Sequence, residues 1–299
     1  MDTKFPRFGF SLDANVAFTT AVNRQFELDQ IRAVGGQIVR IGISAGQFGV
    51  VDPIVDDALA RGMETMLCLY GTTAPRAVDT LGHDVAVHYG NKIRYYEVAN
   101  EPDINGWGAD QYADFVAGTS DSVKSGNPDA KVIAGALWKG AGLGTPTDPQ
   151  HFVTSLCTRA SGKFDVVSAH LYDNPLARQN WNIWDYMLYW GGTGYCDNGA
   201  NGGNARQIMN ASGAAGVPII ATEGGGALTA YTEAQKATWI TSGIDQVAAG
   251  QIHMYMVYEM VRHSPSGYSV LDASNVQQPG YTAFQTGTAK YRFKRSSVM

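Results

Sequence analysis

The sequence predicts an α/β protein in which eight short strands alternate with eight helices. Short apolar runs recur along all 299 residues, and longer runs with apolar residues at helical spacing lie between them. The apolar runs are continuous and do not alternate with polar residues, which is typical of parallel strands buried on both faces. Eight such units in one chain predict a single closed (β/α)8 barrel, the TIM barrel.

The strand-like segments follow one another at the intervals that a barrel requires. They are 7–12, 37–43, 64–70, 93–99, 131–137, 164–171, 218–222 and 252–258. Helix-like segments between them include 26–34, 112–123, 205–210 and 233–247. A doubly wound open sheet is the alternative, but the first turn, Gly9-Phe10-Ser11, lacks the glycine-rich phosphate-binding pattern of that fold.

No composition shift or repeat divides the chain, so residues 1–299 are predicted to form one catalytic barrel domain. Its one irregularity is a long insert, the loop at 174–204 after the sixth strand. This loop is rich in aromatic residues and glycine pairs, with Trp181, Trp184 and Trp190 among them. It follows a strand on the side where barrels carry their active sites, and long loops in compact domains are usually functional.

Composition excludes several classes of function. A net charge of −5 argues against a nucleic-acid surface, and no run of about 18 apolar residues predicts membrane insertion. The three cysteines are too few for a disulfide framework, although Cys157 and Cys196 could pair. The histidines show no metal-ligand spacing, so we expect no metal and no cofactor. The N-terminus carries no apolar signal segment, which leaves an excised secreted domain, an intracellular enzyme and a phage-borne depolymerase as open alternatives.

The residues that close the strands are polar or aromatic, while the strand bodies are aliphatic. In a barrel these residues lie around one cleft at the C-terminal ends of the strands. They are Asp13, Arg40, Tyr70, Asn100, Glu101, Trp138, His170, Tyr172, Glu223, Tyr258 and Glu259.

Two glutamates stand out among these strand-end residues. Glu101 lies in Asn100-Glu101-Pro102 after the fourth strand, and Glu223 ends the seventh. Two carboxyl groups about 5–5.5 Å apart are the equipment for retaining hydrolysis of a glycosidic bond. Arg40, and Tyr172 through its hydroxyl, could hold one of them ionised, and Asn100 could bind a sugar hydroxyl.

Structural explanations compete with each of these assignments. Glu101 could cap a helix that begins after Pro102, and Glu223 could be an exposed strand-end carboxylate. His170 could be a packing histidine. Glu97 and Glu64 lie inside strands, where ion pairing in the barrel core is a better explanation than catalysis.

The sequence resembles the retaining glycoside hydrolases of clan A, and the family-39-like branch most of all. The resemblance rests on Tyr96-Glu-Val-Ala-Asn-Glu-Pro-Asp103 and Thr222-Glu223, together with 112–135, 267–273 and 279–284. It implies Glu101 as acid/base and Glu223 as nucleophile, supported by Asn100, Arg40, His170 and Tyr172. It also implies a carbohydrate substrate, such as a bacterial cell-surface or cell-wall glycan. Many clan members place a tryptophan sugar platform at the end of strand eight, whereas this chain has Tyr258-Glu259.

Two further hypotheses remain at this stage. The first is a carbohydrate-binding protein on a catalytically inactive barrel, against which the presence of both glutamates argues. The second is an aldolase or a phosphate-sugar isomerase, for which a strand-end lysine and a clear phosphate-binding loop are missing. The sequence does not identify the sugar, the linkage, the endo or exo mode, or the oligomeric state.

Overall fold

Eight parallel strands form a closed barrel in chain order, and the predicted fold class is confirmed. The computed structural model describes residues 7–12, 20–70, 81–137, 149–172, 205–226, 231–261 and 267–291. Each strand begins and ends within three residues of its predicted bounds. The strands are β1 (Phe8–Leu12), β2 (Ile38–Ile43), β3 (Glu64–Leu69), β4 (Tyr95–Val98), β5 (Lys131–Leu137), β6 (Val166–Tyr172), β7 (Ile219–Gly225) and β8 (Tyr255–Tyr258). The predicted insert loop 174–204, which contains Cys196, and the predicted strand-end residues Asp13 and Trp138 lie outside the described residues.

Eight α-helices accompany the strands in the described part of the chain. They are α1 (Ala21–Ala33), α2 (Phe48–Ala60), α3 (Leu81–Tyr89), α4 (Ala109–Gly126), α5 (Pro149–Arg159), α6 (Ala205–Ala211), α7 (Glu233–Ala248) and α8 (Pro279–Ala289). Threonine side chains cap two of them: Thr20 Oγ1 accepts from Asn23 N at 3.2 Å, and Thr232 Oγ1 accepts from Gln235 N at 3.3 Å. None of the helices in these ranges has the length and apolar character needed to span a bilayer.

The core of the barrel has two parts. Outward-facing strand residues and the helices share one large apolar core. A second apolar cluster fills the interior, where each fully buried side chain of this size contributes about 1.5–3 kcal/mol. Its members are Ile38, Met66, Tyr95, Ile133, Val166, Ile220, Met254 and Met256.

The interior becomes polar toward the C-terminal ends of the strands. Side chains two positions apart on a strand point to the same side, so the residue that follows Ile38 inside the barrel is Arg40. In the same way Glu97 follows Tyr95, and all of these side chains are buried. A layer of buried polar groups therefore lies between the apolar cluster and the mouth of the barrel.

The chain leaves β4 through left-handed backbone. Ala99 has φ +62° and Glu101 has φ +48°, a region that costs about 1–3 kcal/mol for a residue with a side chain unless its surroundings fix it. The neighbouring strand supplies that support, because Glu101 N donates to Ala136 O at 3.1 Å. Ala136 itself has φ +49° and lies in a register shift of β5 against β6.

A buried tyrosine hydroxyl joins β4 to this irregular part of β5. Tyr112 Oη, on α4, donates to Val98 O and accepts from Gly135 N, both at 2.8 Å. Gly135 has φ +135°, and a Cβ there would lie 2.1 Å from Ser168 O. Glycine at this position and the Tyr112 hydroxyl together maintain the geometry from which Glu101 projects.

We predict that Tyr112→Phe lowers the free energy of unfolding by about 1–3 kcal/mol, because it leaves the buried Gly135 N–H without its acceptor. Urea unfolding followed by circular dichroism measures this change. Tyr96→Phe is the matched control, since that buried hydroxyl makes a long bond of 3.3 Å to Ile93 O, just before β4. Equal losses in the two variants would contradict the role assigned to the Tyr112 hydroxyl.

Candidate active site

The polar layer inside the barrel is built around Glu97. This carboxylate has no solvent exposure and accepts hydrogen bonds from three strands. Arg40 Nε donates to Oε2 at 2.5 Å, and the hydroxyls of Ser168 and Thr222 donate to Oε1 at 2.6 and 2.7 Å. Glu97 is thus a buried ion-pair partner, as its position inside a strand predicts, and it fixes the orientation of the Arg40 guanidinium.

Arg40 extends from Glu97 to the mouth of the barrel. Its Nη1 donates to Glu223 Oε1 at 2.5 Å and to Ser11 Oγ at 3.0 Å, and its Nη2 donates to Asn100 Oδ1 at 2.7 Å. Burial alone would lower the pKa of Arg40, but the attraction of Glu97 and the other anionic groups raises it well above its usual value. The guanidinium therefore remains a permanent cation beside Glu223.

Glu223, at the end of β7, is held as a carboxylate. Tyr172 Oη donates to its second oxygen, Oε2, at 2.5 Å. Burial opposes ionisation of Glu223, but His170, Arg40 and the Tyr172 hydrogen bond outweigh it and lower the pKa. Burial also raises the pKa of Tyr172, and the charge of Glu223 raises it further, so the phenol keeps its proton and serves as a donor.

Glu101 has a different environment from Glu223. Its side chain is 20% exposed, and Oε1 lies 2.8 Å from Nδ1 of His170, which is completely buried. Burial would lower the pKa of His170, yet the nearby Glu223 and the Glu101 hydrogen bond raise it above 6.5. Glu101 and His170 can therefore share a proton.

The two glutamates face each other across a narrow gap. One oxygen of each, together with a ring nitrogen of His170, lie within 4.8 Å of one another. By distance alone these three groups could hold a metal ion, but Arg40 and His170 already supply positive charge to Glu223. The arrangement suits a reaction in which one carboxylate stays ionised while the other exchanges a proton.

The remaining predicted residues are placed as follows. Asn100 accepts from Arg40 and lies at the rim of the same cluster. Tyr258, at the end of β8, is partly exposed and its ring lies 6.4 Å from that of Tyr172. Glu259 is fully buried, so its carboxylate is not offered to solvent in the cleft. The alternative in which Glu101 caps a helix after Pro102 is wrong, because turns follow and α4 begins only at Ala109.

Four neighbours of the cluster were not found by sequence reasoning. Inside the barrel, Arg40 donates a hydrogen bond to the hydroxyl of Ser11, and Glu97 accepts hydrogen bonds from the hydroxyls of Ser168 and Thr222. The period of two along β6, from Ser168 to His170, is a signal that could have identified at least one of them. Tyr268, whose ring centroid lies 5.1 Å from that of Tyr172, follows β8 and has no local signal of this kind.

The structure is similar to solved structures of glycoside hydrolases. A family 39 enzyme from the gut symbiont Bacteroides cellulosilyticus WH2 matches with a TM-score of 0.67 and 14% identity, over 95% of this chain and 64% of that chain. The chain has the fold of these glycoside hydrolases. A family 51 α-L-arabinofuranosidase from Bifidobacterium longum matches with a TM-score of 0.66 and 14% identity, over 95% and 73% of the two chains. A family 5 enzyme from Streptomyces cattleya, in complex with Manβ1-4GlcNAc, matches with a TM-score of 0.67 and 14% identity, over 97% of this chain and 82% of that chain.

These comparisons bear on the fold. The barrel implied by the resemblance to the family-39-like branch of clan A is confirmed. No protein-family model and no curated protein matches the sequence. An account of activity therefore depends on the arrangement of Glu101, Glu223 and their neighbours.

We predict that Glu97→Gln lowers the free energy of unfolding by about 3–5 kcal/mol, because it removes one partner of a buried ion pair. Chemical unfolding of the purified protein measures the change. Asp121→Asn is the matched control, since Asp121 pairs with Lys163 at 2.7 Å on the exposed surface and its loss costs about 0–1 kcal/mol. A Glu97 variant no less stable than the control would contradict the central position of this carboxylate.

Proposed function

We propose that the chain is a retaining glycoside hydrolase that cleaves by double displacement, with Glu223 as nucleophile and Glu101 as acid/base. The observation that carries the proposal is the contrast between two facing glutamates. Arg40 and Tyr172 hold Glu223 ionised, whereas Glu101 lies at hydrogen-bond distance from a partner that can exchange a proton, His170. One oxygen of Glu101 and one of Glu223 lie within 4.8 Å of each other, which is compatible with the spacing of about 5–5.5 Å between the carboxyl groups of retaining enzymes.

In the first step, a carboxylate oxygen of Glu223 attacks the anomeric carbon of the bound sugar. The bond between this carbon and the glycosidic oxygen breaks, and Glu101 transfers its proton to the departing oxygen. A covalent glycosyl-enzyme forms on Glu223. Arg40 and Tyr172 donate to both oxygens of Glu223, so they keep it ionised beforehand and orient it for attack.

In the second step, Glu101 acts as a base. It accepts a proton from a water molecule, whose oxygen attacks the anomeric carbon while Glu223 leaves as a carboxylate. Glu101 regains the proton that it needs for the next turnover. His170 can hold this proton between steps, because its Nδ1 lies 2.8 Å from Glu101 Oε1.

The proposed substrate is a polysaccharide or oligosaccharide, and a bacterial cell-surface or cell-wall glycan fits the family-39-like resemblance. Similar structures were solved in complex with mannotriose, cellobiose and Manβ1-4GlcNAc, and these ligands support an oligosaccharide or polysaccharide as the substrate proposed for this chain. A carbohydrate-binding protein on an inactive barrel is the second hypothesis. It offers no reason for Glu223 to be kept ionised by two charge-assisted donors.

The test is mass spectrometry of the intact protein after incubation with a panel of 2-deoxy-2-fluoro glycosides that carry activated leaving groups. We expect one covalent adduct per chain, mapped to Glu223, because fluorine slows release of the glycosyl-enzyme. Glu223→Gln should lose both labelling and turnover, whereas Glu64→Gln, at the opposite end of the barrel, should keep both. Glu101→Gln should regain turnover of activated glycosides when azide, which needs no base, replaces water.

An adduct on another residue would overturn the assignment of Glu223 as nucleophile. Saturable binding of oligosaccharides by a wild-type chain that is neither labelled nor active would instead favour the binding protein.

We predict that His170→Gln moves the alkaline limb of the pH profile of kcat/KM to lower pH and reduces its maximum about tenfold. The folded protein raises the pKa of His170 above 6.5, so the Glu101–His170 pair retains its proton past that pH and loses it as the pH rises further. Without the imidazole, the proton must be held by the carboxyl alone. The control is His88→Gln, since His88 pairs with Asp52 on the surface, and an unshifted limb in the His170 variant would argue against proton sharing.

A further inference from the structure

The segment that follows β8 returns to the mouth of the barrel and carries Tyr268. Two backbone bonds attach it to the chain just beyond β8: Val270 N donates to Glu259 O at 3.1 Å, and Leu271 N donates to Met260 O at 2.8 Å. Gly267 and Ser269 are buried, whereas Tyr268 between them is only partly buried. The segment thus presents one large side chain toward the cleft.

The ring of Tyr268 belongs to a cluster of three tyrosines beside Glu223. Its centroid lies 5.1 Å from that of Tyr172 and 5.9 Å from that of Tyr258, with interplanar angles of 60° in both cases. Tyr172 is the residue that donates to Glu223. Tyr258 and Tyr268 are both partly exposed, so they add an accessible aromatic surface next to the reacting carboxylate.

Electrostatics also place Tyr268 at the site. Partial burial raises the pKa of its hydroxyl, and the charges of Glu101 and Glu223 raise it further. Tyr268 therefore lies close enough to both carboxylates to be affected by their charges.

A buried lysine fixes the position of Tyr268. Lys236, on α7, is 1% exposed, and its Nζ donates to Gly267 O at 2.8 Å and to Ser269 O at 2.7 Å. The carboxylate of Glu233 lies 3.3 Å from the same nitrogen. A buried ammonium is unfavourable unless its donors are satisfied. Here the cation binds the carbonyl groups on both sides of Tyr268, which sets the direction of that side chain.

We propose that Tyr268 is a substrate-binding residue, which forms with Tyr258 an aromatic wall for the sugar in the cleavage subsite, and that Lys236 is its positioning residue. Sugars present C–H faces that pack on aromatic rings. In this chain two tyrosines, one from the strand end and one from the returning segment, supply that surface. The inference rests on the proposed glycosidase activity and assigns residues to its substrate site.

The experiment uses the aryl glycoside that the wild-type chain hydrolyses best, and it measures kcat and KM for Tyr268→Ala, Tyr268→Phe, Lys236→Met and the double variant Tyr268→Ala/Lys236→Met. We expect Tyr268→Ala to raise KM about tenfold, and Tyr268→Phe to raise it much less because it keeps the ring. Lys236→Met should raise KM in the wild-type background and have no further effect once Tyr268 is alanine.

Thr288→Val controls for loss of stability alone. Thr288 Oγ1 is buried and donates to Val34 O at 2.7 Å, on the outside of the barrel, so this variant loses a buried hydrogen bond away from the cleft. Lys236→Arg keeps donors for both carbonyl groups, so its KM should lie between that of Lys236→Met and that of the wild type. Circular dichroism and urea unfolding show which variants remain folded at the assay temperature.

The outcomes separate this inference from the proposed function. An active wild type with an unchanged KM in Tyr268→Ala overturns the aromatic wall. Additive effects of Lys236→Met and Tyr268→Ala, or a KM change equal to that of Thr288→Val, overturn the positioning role. A wild-type chain that neither cleaves nor is labelled by any glycoside of the panel overturns the proposed function, and this inference with it.

Discussion

The Arg40 guanidinium, held between two carboxylates, is the interaction on which the rest of the site depends. Its Nε faces Glu97 in the dry interior, and its Nη1 faces Glu223 at the mouth, both at 2.5 Å. A buried charge is tolerated only when it is paired and its hydrogen-bonding groups are satisfied. Ser168 and Thr222 satisfy the inner carboxylate, while Tyr172 satisfies the outer one. The charge network thus runs from the apolar core to the cleft without a break.

Glu101 is fixed in a different way from Glu223. Whereas Glu223 is held by charges, Glu101 is held by backbone geometry: left-handed φ values at the end of β4, the register shift in β5 and the Tyr112 hydroxyl. Its side chain remains partly exposed, and within the part of the chain that the structure describes its carboxylate hydrogen-bonds to the imidazole of His170. A rigid backbone with a side chain that has few partners suits the proposed acid/base role, in which Glu101 exchanges protons with a leaving oxygen and with water.

The sequence allowed the barrel and the main strand-end residues to be predicted, because apolar periodicity and the place where a strand stops are local properties. Glu101 and Glu223 ended their strands abruptly, and that feature was readable without a structure. The register of each strand against its neighbour could not be read from the sequence. In β6 and β7 a register shift pairs His170 with Glu223, and no residue pattern announces it. The contact of Lys236 with the backbone on both sides of Tyr268 was not predicted for a related reason, because it depends on how the segment after β8 packs against α7.

The buried polar groups inside the barrel also determine the sign of the electrostatic potential at the cleft. Arg40 is one cation between two anions, Glu97 and Glu223. These three groups together carry one negative charge in excess, fixed in place before any ligand arrives. In the proposed reaction, departure of the glycosidic oxygen leaves positive charge on the sugar ring as the transition state is reached. Under that proposal, the excess negative charge of the barrel interior stabilises the transition state more than the bound substrate.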